Sequence, residues 1–385
     1  MSFVLTLCDV CLAAAVVGCA FTLLEVACVL RFTGEPVVDS NEQPPATILK
    51  PLFGAEPGLG ARLAAFCRQD YAGPVELILG TQDRSESAAA IMRDTKAAFP
   101  DQAIELVVDA HNQGSNRKVS NLINMLPYAR HDTLVLSDSD IVVGADYLRK
   151  VTALLEPRHV GAVTCFYYGL GEGLWPRLSA LAINSSFLPQ VITAASLGFA
   201  QHCCGATIAL RRSLLDRIGG FTAFADELAD DYMIGAAVRS CGYEIVTAPF
   251  LVGHQCFEDS LRSLVLQQIR GARTIKSIEP IGYAGTIITH PWPLALIGML
   301  SGSASAAVVA AAALACRVAL CHCVERRFKL ERQSYWLVPL QDVIAFAVYL
   351  VSFFGATIRW RGSDYRVAAD GTLASMAPEQ DPSIS

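Results

Sequence analysis

The sequence predicts an α/β domain, a mostly parallel sheet flanked by helices, held between apolar helices near both ends of the chain. Three observations predict it. Apolar stretches at 10–30, 280–316 and 336–358 are longer and poorer in charge than a soluble core needs. Between them lie roughly 250 residues, the size of one domain. Within that interval, strand-length apolar runs alternate with stretches of helical period, the pattern of a sheet wrapped by helices. Composition agrees, with 53% hydrophobic and 17% charged residues, against about 25% charged in ordinary soluble domains. Disorder, a coiled coil and a small disulfide scaffold are poor fits. With 36 acidic and 30 basic side chains, the chain is not a nucleic-acid binder.

The elements follow in order. Residues 10–30 contain one charge, Glu25, and as a helix would span a hydrocarbon core of about 30 Å. No basic leader or A-x-A cleavage site accompanies them, so 1–31 reads as a retained transmembrane anchor. Arg31 directly after it places the following domain on the cytoplasmic side. That domain, 32–257, has candidate strands at 46–50, 75–80, 104–108, 133–137 and 160–166. Candidate helices lie at 58–69, 86–99, 117–128 and 146–155. Next comes an interfacial helix region, 258–283, with a basic stripe of Arg270, Arg273 and Lys276 that also suits anionic lipid. From 280 to 316 the only titratable basic or acidic side chain is His290. Ser301-Gly302-Ser303-Ala304-Ser305 divides this stretch into a helical hairpin, 284–300 and 306–324. A last run, 336–358, carries Asp342. The region 284–358 therefore holds two or three transmembrane helices, and 359–385 is a polar tail. Basic residues at 325–329 and 359–361 flank the last run; the hairpin puts the first group inside and the tail outside, while a single span reverses this. Thirteen cysteines include no CxxC pair and read as buried thiols, Cys203-Cys204 among them.

In parallel sheets, ligands bind beyond the carboxyl ends of the strands. Acids stand at those ends: Asp83 after 75–80, Asp138-Ser139-Asp140 after 133–137, and Asp230-Asp231 opening a helix. A D-x-D turn suits Mg2+ or Mn2+ with a diphosphate completing the shell, although such acids also form turns and helix caps. Acids at a helix start equally stabilise its dipole. His254 serves as a metal ligand or as a hydrogen-bonded loop histidine. Asn116-Arg117-Lys118 opens a helix whose free N–H groups favour a phosphate, or is a solvated helix start.

Taken together, the pieces resemble a family-2-type glycosyltransferase domain, and more closely the ceramide glucosyltransferase group with its bacterial hopanoid-associated relatives. The matching residues are Lys50-Pro51-Leu52-Phe53-Gly54, Gln82-Asp83, Asn116-Arg117-Lys118-Val119-Ser120-Asn121-Leu122, Asp138-Ser139-Asp140, Gly205-Ala206-Thr207, Gly219-Gly220-Phe221 and Ala229-Asp230-Asp231-Tyr232. Gly282-Tyr283-Ala284-Gly285 and Thr289-His290-Pro291 look more like the hopanoid branch. The resemblance covers nearly the whole chain.

It implies a GT-A-like sheet and an inverting transfer from a UDP-sugar to a hydroxyl of a membrane lipid. Asp83 and Asp138 would hold the nucleotide, Asp140 with Asp138 and His254 the metal, and Gln267 with Arg270 the diphosphate. Asp231 would take the acceptor's proton, with Asp230 beside it in the acceptor region. The group's Q/R-x-x-R-W motif here reads Gln267-Gln268-Ile269-Arg270-Gly271, so Gly271 removes an aromatic platform near the acceptor. The branch implies a hopanoid polyol acceptor and a UDP-N-acetylglucosamine donor; ceramide with UDP-glucose is the alternative. A catalytically silent nucleotide-binding membrane scaffold is the reading from another class, and Gly271 alone favours it. A transporter would need more charges within its spans.

Overall fold

A computed structural model describes residues 2–32, 42–82, 86–199, 202–355, 357–360, 363–368 and 371–375. In chain order the elements are α1 (Ser2–Arg31), β1 (Ala46–Leu52), α2 (Leu59–Cys67), β2 (Val75–Thr81), α3 (Glu86–Ala98), β3 (Ala103–Val108), α4 (Arg117–Met125), β4 (Thr133–Leu136), β5 (Ile141–Val142), α5 (Tyr147–Leu155), β6 (Val160–Leu170), α6 (Leu174–Ala182), α7 (Leu188–Ser196), β7 (Ile208–Arg211), α8 (Arg212–Arg217), α9 (Asp230–Ser240), β8 (Glu244–Gln255), α10 (Leu261–Ile278), α11 (Pro280–Gly285), α12 (Pro291–Gly298), α13 (Ala304–Phe328), α14 (Val338–Ser352), β9 (Thr357–Trp360), β10 (Ser363–Val367) and β11 (Leu373–Ser375).

Eight strands form one sheet in the order β3-β2-β1-β4-β7-β6-β8-β5. The half from β3 to β4 is parallel, and β6 and β8 pair in parallel as well. The strand between these halves, β7, runs against both neighbours, as does the short edge strand β5 against β8. The sheet is thus mixed, with parallel pairing dominant in its first half. Strands β1 and β4 are buried along their whole length, as expected where both faces are covered. One face packs on Phe66, Tyr147 and Val151, the other on Leu122, Met125 and Ile234. The five predicted strands and four predicted helices all form.

The apolar helices differ from the sequence reading in two places. Among the described residues, four helices are long and apolar enough to cross a membrane: Val4–Arg31, Leu174–Ser196, Ala304–Phe328 and Tyr335–Ser352. The second was not predicted, because polar residues interrupt it at Asn184, Ser185 and Ser186. There the helix takes one π-helical turn, Ile183–Phe187, and joins α6 to α7. The expected hairpin survives in its second leg only. His290, Pro291 and Pro293 break the first leg into α11, a short 3-10 turn and the eight-residue α12. Proline removes the N–H and clashes with the preceding turn, so no continuous span forms there. The predicted break holds, with Gly302 left-handed and Ser303 capping α13.

The end of the chain packs against α6 and α10. Helix α14 runs beside α10: Leu337 and Val338 pack with Leu264, Gln268 reaches Gln341 at 3.5 Å, and Lys276 donates to the Ser352 carbonyl at 2.6 Å. Residues 357–375 then form a three-stranded sheet. It is joined to the loop before α9 by Leu373 N–H to Asp226 O at 2.8 Å and Leu228 N–H to Gly371 O at 3.3 Å. Leu228, Ile358, Tyr365 and Leu373 close over that junction. The tail lies on the sheet side, not opposite it as the hairpin reading required.

Candidate active site

The carboxyl ends of β1 and β4, the start of α9, the strand β8 and one face of α10 converge on a cavity of about 610 Å³. Lys118, Asp138, Asp140, Asp230, Asp231, His254, Gln267, Arg270 and Gly271 all line it. Eight of these nine were singled out from sequence as site residues, and they come from segments more than 100 positions apart. Asp83 lies outside the described residues.

The Asp138-Ser139-Asp140 turn follows β4 and is held from behind. Lys50, fully buried in β1, donates to the Asp138 carbonyl and to Ser137 Oγ at 3.3 Å. Arg62 donates to the Ser139 carbonyl at 2.9 Å, and Ser139 Oγ to Glu56 at 2.8 Å. Burial pulls the Lys50 ammonium down to about 7, against the pull of Asp140 and Asp138. A charged residue inside an otherwise apolar strand was the available signal for this role, and sequence reasoning passed over it.

The turn sends its two carboxylates apart. Asp138 accepts from Lys118 Nζ at 2.9 Å. Asp140 faces His254 Nδ1 at 3.5 Å, across the β5–β8 pairing that sets Ile141 opposite His254. Among the described residues, no three His, Cys, Asp or Glu side chains are grouped to hold an ion. In this arrangement Asp138 is engaged by Lys118, while Asp140 and His254 face each other. Asp140 Oδ1 is buried, with the His254 imidazole as its long-range partner. Burial alone would raise the Asp140 carboxyl; His254, then Lys50 and Arg62, outweigh that and hold it well below the usual carboxylate range. A hard carboxylate oxygen and an imidazole nitrogen 3.5 Å apart are a ligand pair that fits a divalent cation whose other ligands come from a phosphate.

Lys118 also reaches Asp230 at 3.1 Å, and Asn116 Nδ2 donates to Asp230 at 3.3 Å. Burial opposes the Lys118 charge, but Asp138, Asp230 and Asp231 raise its affinity for the proton above a lysine's ordinary value. The start of α4 is not open to a phosphate. Asn116 Oδ1 caps it by accepting from the N–H groups of Lys118 and Val119.

Asp230 and Asp231 separate as adjacent helix residues must. Asp230 is buried in the Lys118–Asn116 pair, whereas Asp231 accepts from Gly205 N–H and Tyr232 N–H, each at 2.8 Å. Burial pushes the Asp231 carboxyl up, the adjacent Asp230 adds to this, and Lys118 pulls it back, leaving it at about 6. Gly205 is needed for this approach: a Cβ there would lie 2.8 Å from Asp138 Oδ2 and 3.1 Å from Lys118 Nζ. Opposite, α10 begins with a capping box at Ser260 and Ser263. It presents Gln267 and Arg270, one turn apart, and Gly271, whose absent side chain leaves open space. The cavity's remaining wall is apolar and aromatic, from Ala182, Ile183, Phe187 and Tyr167; sequence reasoning did not find it.

Comparison with known proteins agrees with this geometry. A ceramide glucosyltransferase 1 from Caenorhabditis elegans is 24% identical over 212 residues, covering 54% of this chain and 45% of that protein. A ceramide glucosyltransferase from Gibberella zeae is 29% identical over 171 residues, 39% of this chain and 32% of the relative. The chain thus spans less than half the length of these curated relatives. Among solved structures, the mannosyltransferase PcManGT from Pyrobaculum calidifontis, in complex with GDP-Man and Mn2+, superposes with a TM-score of 0.56 at 21% identity. It covers 91% of this chain and 99% of that one, and the shared fold is GT-A-like. The profile of glycosyl transferase family 21 matches residues 10–373; the chain belongs to that family.

Proposed function

We propose that this protein transfers a sugar from a UDP-sugar to a hydroxyl of a membrane lipid, with inversion at the anomeric carbon. The carrying observation is the single cavity in which a floor of acids and cations meets an apolar wall from a helix able to cross a membrane. One charged and one apolar ligand would share that space. The lead pair is UDP-N-acetylglucosamine with a hopanoid polyol, supported by the resemblance of Gly282-Tyr283-Ala284-Gly285 and Thr289-His290-Pro291. UDP-glucose with ceramide is the second reading, favoured by the relatives' names.

In this reading 1–31 anchors the protein in a bacterial inner membrane, 32–257 is the cytoplasmic catalytic domain, and 258–283 lies along the interface. The segment 284–358 completes the membrane part. Asp83 and Asp138 grip the nucleotide, and Gln267 and Arg270 reach the diphosphate. Asp140 and His254 would hold Mg2+ or Mn2+. Such an ion supplies positive charge against the leaving diphosphate.

Asp231 accepts the acceptor's proton as the lipid oxygen bonds to the anomeric carbon and the bond from that carbon to the diphosphate oxygen breaks. The two N–H groups on Asp231 orient it, and Lys118 keeps Asp230 occupied. A silent scaffold would not require this separation of two adjacent acids.

The test is to incubate membranes containing the protein with labelled UDP-N-acetylglucosamine and UDP-glucose, then identify lipid products by mass spectrometry. Sugar on a polyol lipid supports the lead, and sugar on ceramide the alternative. UDP-sugar binding without any lipid product supports the scaffold.

A further inference from the structure

We infer that the π-helical turn Ile183–Phe187, with Tyr167 of β6, is the seat for the body of the acceptor next to its reacting hydroxyl. This rests on the lipid-acceptor reading above and names the subsite it lacks. Turns of this kind inside α-helices are rare and concentrate at functional sites. Here a second observation points to a ligand.

Each polar side chain of the turn is committed elsewhere. Asn184, fully buried, accepts from Gly169 N–H at 2.8 Å and donates to the Gly169 carbonyl at 3.1 Å, which clamps the turn to the end of β6. It also donates to Gln333 at 3.1 Å. Ser185 donates to the Leu181 carbonyl at 2.7 Å. Ser186 accepts from Arg317 at 2.9 Å, which ties the turn to α13. The two side chains left over, Ile183 and Phe187, line the cavity.

Phe187 stacks on Tyr167 with ring centres 4.9 Å apart and planes at 27°. Tyr167 in turn lies 5.2 Å from the His254 ring. An aromatic strip therefore runs from the apolar helix to the Asp140–His254 pair, with the Tyr167 hydroxyl in the field of Asp231, Asp140 and Arg270. On α10, which lines the same cavity, a side chain at Gly271 would meet nothing within 4 Å. Stacked rings beside open space suit a flat, rigid, apolar body carrying its hydroxyl at one end. It fits a thin flexible chain less well, because dispersion against a ring face grows with matched area.

The experiment uses the full-length protein in nanodiscs. Phe187→Ala should raise the KM for a polycyclic lipid alcohol about tenfold, with UDP-sugar affinity within about twofold of wild type. Phe187→Trp should restore the KM. Transfer to a short water-soluble alcohol should be the same in wild type and Phe187→Ala. An unchanged lipid KM, or equal loss towards the lipid and the short alcohol, overturns the inference. Should Phe187→Ala fail to fold, a lipid alcohol with a photoreactive group in its ring body can be crosslinked to the wild type. Label on the peptides holding Tyr167 or Phe187 supports the seat, and label confined to other peptides overturns it. Wild type that binds UDP-sugar but glycosylates no lipid sinks the underlying reading instead.

Discussion

Two sets of buried charges sit in this molecule and are used differently. At the strand ends, Lys118, Asp138, Asp140, Asp230, Asp231 and Arg270 surround a cavity. Inside the helical bundle, Arg317 of α13 and Asp342 of α14 are 1% and 2% exposed and meet through two bonds of 2.9 Å. Glu25 of α1, 0% exposed, faces the same guanidinium. The ingredients are alike, and the geometry is not. In the bundle, the planar guanidinium fork matches the Asp342 carboxylate and also reaches Ser186, which holds helices together. At the strand ends, like charges are crowded around a cavity, and Asp140 Oδ1 faces the His254 imidazole 3.5 Å away. Charge that lines a cavity, rather than buried charge alone, marks the site where chemistry can occur.

The comparison breaks most decisively at Asp231. Asp231→Asn should lower kcat by about 100-fold or more, the typical worth of a positioned base, while UDP-sugar binding by calorimetry stays near wild type. Asp230→Asn should instead loosen Lys118 and weaken donor binding as well as turnover. If Asp230→Asn costs kcat alone and Asp231→Asn is mild, the two neighbours have been assigned in the wrong order.

The bundle set should respond in stability and not in chemistry. Arg317→Met leaves Asp342 and Glu25 buried without their cation, a loss of about 3–5 kcal/mol. It should appear as a lower Tm in detergent and a lower yield of folded protein. Adding Asp342→Leu and Glu25→Leu should recover most of that loss, since a well-packed apolar replacement of a buried ionic cluster is often neutral. A single Arg317→Met variant as stable as wild type would remove the distinction drawn above.

A smaller effect concerns pH. Asp231 acts while deprotonated, and burial with the adjacent Asp230 raises its carboxyl to about 6. Activity should therefore be lost as pH falls through about 6, reaching roughly a tenth of its plateau at pH 5. A kcat profile flat from pH 5 to 8 would show that another group takes the proton.

What could be read in the sequence divides along the same line. The strands were legible because continuous apolar runs such as Thr133–Leu136 bury both faces, and the acids because they follow those runs. The pairing that turns acids into a site was not legible. His254 meets Asp140 only through the β5–β8 register, and Lys118 bridges Asp138 and Asp230, which lie 92 positions apart in the chain. Hydropathy also missed one helix of the bundle. The π turn hides Leu174–Ser196 behind Asn184, Ser185 and Ser186, whose polarity is satisfied by strand β6, their own helix and Arg317. The tail strands carry no apolar run, so only their contacts with 226–228 reveal them.

The smallest effect sharpens the comparison at the cavity's open side. Gly271 is on α10, one residue after Arg270, and a side chain there enters unoccupied space. Gly271→Trp should therefore fold normally, with Tm within about 1–2 °C, because exposed substitutions that displace nothing change stability little. Its ring would enter the cavity that Phe187 and Tyr167 also line and narrow it. If the gap seats a rigid lipid body, the KM for that lipid should rise about threefold while the KM for UDP-sugar is unchanged, since Arg270 and Gln267 keep their places. A flexible-chain lipid should gain relative to the rigid one, having less width to accommodate. If instead the glycine marks an impaired site, the variant should gain turnover on every lipid from a low baseline. Identical kinetics on all lipids would show that the acceptor does not pass between α10 and the π turn, and that the open side of the cavity has no part in selecting it.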